Sequence, residues 1–454
     1  MAALAAIALA GCAVGPDYTA PDPGHVPESL PTIVPPSSAA GGNAASGDSA
    51  SWYDGFNDST LSSLLDIAST NSLDILQTLK RIEASRASLA GARAEFWPNV
   101  GFSASTSKGK SYNPDSDTER SSARFDASWE IDIFGKVSRS VEAARAELEA
   151  AEFGLDDAMV SLRAEIAAEY VNLRLRQNLL AIIRDNLGIQ REFEEIAKSK
   201  FDAGFAPELD WLSAESQLRA TEASLPAAEA ETRECIRRIE LLCSLAPGEL
   251  DAMLAPEAPL PLPPATPAAI PSDLLRQRPD VRRAERNYAA ALARIGVAKA
   301  NYFPSVSIGA GFALATDSFA SWGDAVRSMD FGPSLSWSIL SFGRNRAKVA
   351  NAKATAEEAA LAYRSAVLSA FHEVENGAIS LDSDLKRENP LAAAVEAQRK
   401  ADALALAMYR EDLGEYRDVL TARQSLLSQE RSLAELRANL ALSEIALCKA
   451  LGKK

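Results

Sequence analysis

The sequence predicts a mixed α and β membrane protein, mainly α. Its expected form is a trimeric 12-stranded β-barrel, four strands per chain, continuous with a long α-helical coiled-coil barrel. Three observations predict it: the chain is duplicated, each copy carries two alternating strands at the same place, and each copy continues into helices with sustained heptads.

The duplication is read from matching segments. Ala92-Arg93-Ala94-Glu95-Phe96-Trp97-Pro98 matches Ala298-Lys299-Ala300-Asn301-Tyr302-Phe303-Pro304 at an offset of 206, as Asp74-Ile75 matches Asp280-Val281. Phe134-Gly135 matches Phe342-Gly343 at 208, and that offset then holds through Phe201 with Tyr409 and Asp210 with Asp418. One two-residue insertion between the strands accounts for the change.

The elements follow in order. A helix is expected over about 59–95 and again over 272–301. Val100, Phe102, Ala104 and Thr106 alternate, then Phe125, Ala127, Trp129, Ile131 and Ile133. In the second copy Val306, Ile308, Ala310, Phe312 and Leu314 alternate, then Met329, Phe331, Leu335, Trp337 and Ile339. Period two with one apolar face predicts strands, at about ten residues each long enough to cross a bilayer when tilted. The polar segments Lys108–Arg120 and Thr316–Arg327 are expected as external loops. Beyond Phe134-Gly135, Val141, Leu148, Leu155 and Leu162 are seven apart, and after a four-residue slip Ile166, Leu173, Leu180 and Leu187 continue. Such heptads predict a coiled coil with a stutter. Return helices carry Leu218, Leu225 and Ile239, then Leu426, Leu433, Leu440 and Leu447. The expected organisation is a signal segment over 1–11, an extended arm over 12–50, repeat 1 over 51–245, a linker over 246–271 and repeat 2 over 272–454. Eight prolines mark the linker.

Composition narrows the function. With 62 acidic and 47 basic residues the net charge is −15, a poor fit for nucleic acid but a fit for a surface or pore that repels anions and tolerates cations. His25 lies in the Pro/Gly/Ser-rich arm and His372 in a helix near Glu373 and Glu375. Neither accompanies a nucleophile or a metal-ligand spacing, so no catalytic residue, no metal site and no cofactor is expected. Cys235 and Cys243 stand eight residues apart in a helical pattern, about 12 Å along the axis, too far for a disulfide in one straight helix. They and Cys448 read as small buried residues.

No stretch reaches 18 consecutive apolar residues, so a membrane crossing would have to use strands. Four strands leave open edges, which lipid does not tolerate. Closure therefore requires several chains, and three would supply twelve strands, enough for a barrel with an open lumen. Trp97, Trp129, Trp322 and Trp337 lie near strand ends or in the hairpins, where interface aromatics and core aromatics are both expected residents.

Met1–Ala10 is almost wholly apolar and Leu9-Ala10-Gly11-Cys12 follows. This resembles the lipobox of bacterial lipoproteins, which implies cleavage before a lipidated Cys12. Alanine rather than aspartate at residue 13 resembles an outer-membrane address. No basic residue precedes the apolar run, so the reading of a start further upstream stays open, as does that of an ordinary signal with a chance cysteine.

Taken in order, the marks resemble the TolC-like outer-membrane efflux proteins, in the lipoprotein branch that serves tripartite pumps. They are the lipobox with Gly15-Pro16-Asp17-Tyr18; Trp52-Tyr53 with Phe56, Asp58, Leu61 and Leu64; Asn71 with Asp74; and Leu275-Arg276-Gln277-Arg278-Pro279-Asp280-Val281 with Ala284-Glu285, Ile295-Gly296, Ala298, Ala300 and Phe303-Pro304. The resemblance covers nearly the whole chain. It implies a homotrimer that passively conducts small molecules to the exterior, held in outer-membrane lipid with its helices in the periplasm. It also implies a periplasmic adaptor and an inner-membrane transporter of the RND type as partners, and a tip closed at rest.

The tips are the helix–helix turns, with Gly204, Pro207 and Gly414 suited to them and expected at the adaptor contact. The resemblance implies a constriction by a hydrophobic residue after the second turn and an aspartate four positions later. Those positions hold Arg417 and Thr421. The candidate gate residues are therefore Asp210, Glu415, Arg417, Asp418 and Thr421, with Asp418 replacing the aspartate or Arg417 pairing across subunits with Asp210 or Glu415. Solvated charges on an exposed turn are the competing reading. Two other functions stay open on the same residues: a duct for type I protein secretion, and a periplasmic coiled-coil structural lipoprotein.

Overall fold

The computed structural model describes residues 13–21, 52–112, 115–261, 276–317, 319, 322–411 and 413–453. Cys12 and His25 lie outside them. The chain forms two compact units.

The first unit comprises residues 13–21, 79–154 and 280–366. It holds one antiparallel sheet of β1 (Asn99–Tyr112), β2 (Asp115–Ile131), β3 (Ser305–Thr316) and β4 (Val326–Ser336), in that order. Each hairpin comes from one repeat, and β2–β3 pairing joins the repeats: Phe125 stands opposite Phe312 and Ala127 opposite Ala310. Two expectations are corrected here. The first hairpin is longer than the alternation suggested, because Lys108 pairs with Glu119 and Lys110 with Asp117, so most of 108–120 is strand rather than loop. Backbone hydrogen bonds carry a ladder whatever the side chains are, and a polar strand gives no alternating signal. Strand β4 conversely ends at Ser336, leaving Trp337 and Ile339 beyond it.

The second unit comprises residues 52–78, 155–261, 276–279 and 367–453. Its core gathers Leu61, Leu64 and Leu65 of α1 (Ser59–Asn71) against Ile166, Tyr170, Val171 and Leu173 of α3 (Lys136–Asp202). Ile239 and Cys243 close it at the end of α4 (Glu208–Leu242), with Leu250 and Leu254 at the short α5 (Asp251–Leu254). The heptad leucines Leu173, Leu180 and Leu187 are all buried. The helix expected over 59–95 is two helices, α1 and α2 (Leu73–Ala94), parted at Ser72, whose ψ of 122° is not helical. The Leu73 N–H that loses its helical partner donates instead to Ser244 Oγ at 3.0 Å.

Buried polar groups explain the motif residues. Asp58 caps α1, its Oδ1 accepting from Thr60 N–H at 2.9 Å and Leu61 N–H at 3.1 Å. Its Oδ2 accepts from Tyr170 OH at 2.6 Å, and Tyr170 OH accepts from Arg174 Nη2 at 3.0 Å. The fully buried Arg174 also donates to Gln177 Oε1 and to the Pro256 carbonyl, both at 2.7 Å. The start of the linker is thus held to α3 by hydrogen bonds to a charged group, the stronger kind. Arg278, of the Arg-Pro-Asp segment that opens α6 (Pro279–Ala300), donates to the Ala450 carbonyl and to Glu373 Oε2, each at 2.7 Å. It ties the end of α8 (Tyr416–Ala450) to α7 (Arg344–Arg410).

Candidate functional site

The sheet of the first unit has two unlike faces. One carries Val100, Phe102, Phe125, Trp129, Phe312, Met329, Phe331 and Leu335, all exposed, with Met329 84% and Phe331 80% accessible. An exposed apolar surface of this size on a soluble protein would drive association, and it fits acyl chains. The opposite face, one residue out of register, carries Ser, Gly, Arg124, Asp126 and Asp330. Its hydroxyls bond across strands, Ser105 with Ser122 at 3.0 Å and Ser307 with Ser334 at 2.8 Å. A sheet apolar on one face and hydrated on the other is what a channel wall in lipid requires. Among the described residues, both outer strands, β1 and β4, have one edge without a partner strand.

Tryptophans mark one end of this sheet. Trp129 Nε1 donates to the Phe96 carbonyl at 2.9 Å and Trp337 Nε1 to the Tyr302 carbonyl at 3.0 Å, the same contact made once in each repeat. Trp97 is 75% accessible, so these rings do not fill the core of the chain. Among the described residues no helix is long and apolar enough to cross a membrane.

The N-terminal segment is built into the same unit. Val14 N–H donates to the Phe134 carbonyl at 3.2 Å, and Asp17 accepts from Arg139 at 2.6 Å. Tyr18 OH donates to Glu285 and accepts from Arg286 at 3.0 Å, with the guanidinium over its ring. A β-carbon on Gly296 would stand 2.7 Å from the Val14 carbonyl oxygen, so Gly15 and Gly296 let two backbones touch. The marks Gly15, Asp17, Tyr18, Glu285 and Gly296, scattered in sequence, are therefore one clasp.

The helix turns of the second unit run from α3 to α4 through 203–207 and from α7 to α8 through 411–415. Gly204 has φ +76°, and Pro207 caps α4. A β-carbon on Gly414 would stand 3.2 Å from Met408 Cβ. Under the turns Phe193, Ala197, Ala214, Tyr409, Tyr416 and Val419 form a small apolar cluster, with Tyr409 and Tyr416 edge to face at 5.8 Å. Burial pushes the Tyr416 phenol up to about 12.

The proposed gate residues separate here. Arg417 reaches Glu415 at 3.7 Å, both side chains being more than 70% accessible. Asp210, at the first turn of α4, is half-buried, and burial together with the Glu415 charge raises its carboxyl above the usual range. Asp418 is exposed in the first turn of α8, and the Thr421 hydroxyl donates back to the Arg417 carbonyl at 2.8 Å. Within one chain Asp210 therefore feels a like charge rather than Arg417.

Sequence reasoning missed two features. Phe205, Leu209 and Leu413 at the turns are at least 70% accessible, three apolar residues whose only sequence signal was their place beside Gly204 and Gly414. The second is a buried ion pair, Arg423 with Asp402 at 2.7 Å, joining α8 to α7.

Comparison with known proteins bears directly on this architecture. The family model described as "Outer membrane efflux protein" matches residues 64–242 and 270–453, one stretch in each repeat. The chain is 31% identical over 449 residues to Nodulation protein T of Rhizobium leguminosarum bv. viciae, covering 98% of this chain and 91% of that one. It is 26% identical over 455 residues to the cation efflux system protein CusC of Escherichia coli O6:H1, covering 98% and 96%. The solved structure of the outer-membrane channel OprN superposes with a TM-score of 0.86 at 33% identity, over 98% of this chain and 99% of that one. The chain belongs to the outer membrane efflux protein family: it is an outer-membrane channel of an efflux system and not an enzyme.

Proposed function

We propose that three copies close a 12-stranded barrel and together form the exit duct of a tripartite pump, passively conducting small molecules from a periplasm-spanning assembly to the exterior. The observation that carries this is the four-stranded sheet with an exposed apolar face, a hydrated face and, among the described residues, two edges without a partner strand. Each edge finds its partner in the next chain, and the apolar face finds lipid. The helices then stand in the periplasm, and their turns, with Gly204, Pro207, Gly414 and the exposed Phe205, Leu209 and Leu413, meet a periplasmic adaptor working with an inner-membrane transporter of the RND type. Exposed apolar residues at a turn are the chemistry of a docking surface.

Cys12 carries lipid in this reading. The clasp supports it, since it fastens residues 13–18 to the unit that carries the sheet, with Ala13 close against the Gly135 turn that leads into α3. An acyl chain there adds a tether at about 0.8 kcal/mol per buried methylene. The gate consists of Asp210, Glu415, Arg417, Asp418 and Thr421 from three subunits around one axis.

The test is fractionation with mass determination of the detergent-extracted protein. Outer-membrane partition, a mass of three chains and heat-modifiable migration are expected. A soluble or monomeric protein would overturn the proposal and favour a periplasmic coiled-coil lipoprotein. Cys12→Ser should abolish labelling by a radioactive fatty acid, and labelling that persists would remove the lipid assignment.

A further inference from the structure

One transverse row of the sheet has a composition that neither strand formation nor membrane insertion explains. The register sets Gly101 opposite Asp126, Asp126 opposite Gly311, and Gly311 opposite Asp330. Across β1 to β4 the row therefore reads Gly, Asp, Gly, Asp, all on the hydrated face. Glycine weakens a strand interior and marks a close approach by another group. Here the approaching groups are the charges themselves. A β-carbon on Gly311 would overlap the Arg124 guanidinium and stand 2.7 Å from Asp330 Oδ1, and one on Gly101 would stand 3.2 Å from Asp126 Oδ2. Arg124, two residues along β2 from Asp126, crosses β3 over Gly311 and donates from Nη2 to Asp330 Oδ2 at 3.0 Å. The pair stays wet, its side chains 41% and 58% accessible.

We propose that this row is an ion-selecting band of the channel wall, passing small cations in preference to anions, with Arg124 setting its strength. The inference rests on the closed barrel proposed above, with this face toward the lumen. Arg124 is bonded to Asp330 and also feels the Asp126 charge, so one basic group set against two acidic ones leaves one net negative charge per chain. The other charges of this face, Arg120 and Glu130, lie four residues further along β2 on either side. A charged wall raises the local concentration of counter-ions and so biases which ion enters. The glycines lay the charged groups flat, which keeps the bore open while the charge stays at the wall.

The experiment is the reversal potential of the purified full-length protein in planar bilayers under a KCl gradient, with heat-modifiable migration confirming assembly of each variant. Asp126→Asn is expected to lower the potassium-to-chloride permeability ratio by roughly twofold or more, and Arg124→Gln to raise it by a similar factor. Gly311→Ala moves Arg124 off Asp330 without changing charge, and should reduce unit conductance while the ratio holds. The helix turns are identical in all three variants, so differences among them belong to the band. Conducting channels whose ratio is unchanged in both charge variants would overturn the band and leave the channel standing. Absence of conductance in every protein, the parent included, would contradict the channel reading itself.

Discussion

Asp402 and Arg423 meet at 2.7 Å with both side chains nearly buried, and Arg423 also lies over the Phe193 ring. Burial raises the Asp402 carboxyl above its ordinary value even though Arg423 draws it down. Such a pair does not stabilise more than packed apolar residues would, but it penalises loss of one partner. Arg423→Met should cost about 3–5 kcal/mol, and Asp402→Leu with Arg423→Met should return close to the parent, both read by thermal unfolding. Asp210 gives a pH dependence. Its folded carboxyl binds a proton more tightly than the unfolded one, whose ordinary value is about 3.9, so its contribution to stability falls as pH rises from there through the raised value. Asp210→Asn should therefore raise the unfolding temperature at pH 7 and change it little at pH 4, and an equal shift at both would contradict this. Arg417 has a channel readout. Its pair with Glu415 is too exposed to hold a pore alone, at about 0–1 kcal/mol, so the proposed gate calls on such pairs from all three subunits of the proposed trimer. Arg417→Ala should raise conductance in planar bilayers, and unchanged conductance would remove Arg417 from the gate. The Arg423–Asp402 pair was not legible in the sequence, because which of many helix charges face one another depends on the packing of α7 and α8, whereas Asp210, Glu415 and Arg417 stood out there by their place at the turns.

Elements were more legible than residues, and the exceptions have physical reasons. The long helices could be read because heptads repeat over many turns and Leu173, Leu180 and Leu187 are buried as that period requires. The break at Ser72 could not, since a single changed ψ leaves no periodic trace and its satisfying partner, Ser244, is distant in sequence. The far end of the first hairpin was hidden by its polarity. Prolines give another contrast: Pro226 and Pro390 lie inside α4 and α7, where each removes one N–H without ending the helix. The turn into α3 carries a sharper requirement. Gly135 has φ +75°, and a β-carbon there would stand 2.7 Å from Ala13 Cα. Gly135→Ala should cost at least about 1–2 kcal/mol from the left-handed backbone and loosen the N-terminal clasp. Limited proteolysis should then cut within 13–21 faster than in the parent. Equal rates would mean that the segment is held by Tyr18 and Asp17 alone.

At the scale of the whole molecule, the duplication decides the architecture. Each repeat supplies one hairpin and two long helices, and β2–β3 pairing joins the two hairpins into one sheet. The repeat, the strands and the helices were readable from sequence because each recurs with a fixed period. The number of chains we propose rests on the argument that four strands cannot close in lipid. That closure is the central claim, and cross-linking at the sheet edges tests it most directly. Single cysteines placed along β1, combined with single cysteines along β4 in a background lacking Cys235, Cys243 and Cys448, should form disulfides between neighbouring chains in outer membranes. The account predicts a ladder of covalent dimers and trimers that ends at three. Monomers at every pairing, or a ladder running past three, would contradict it.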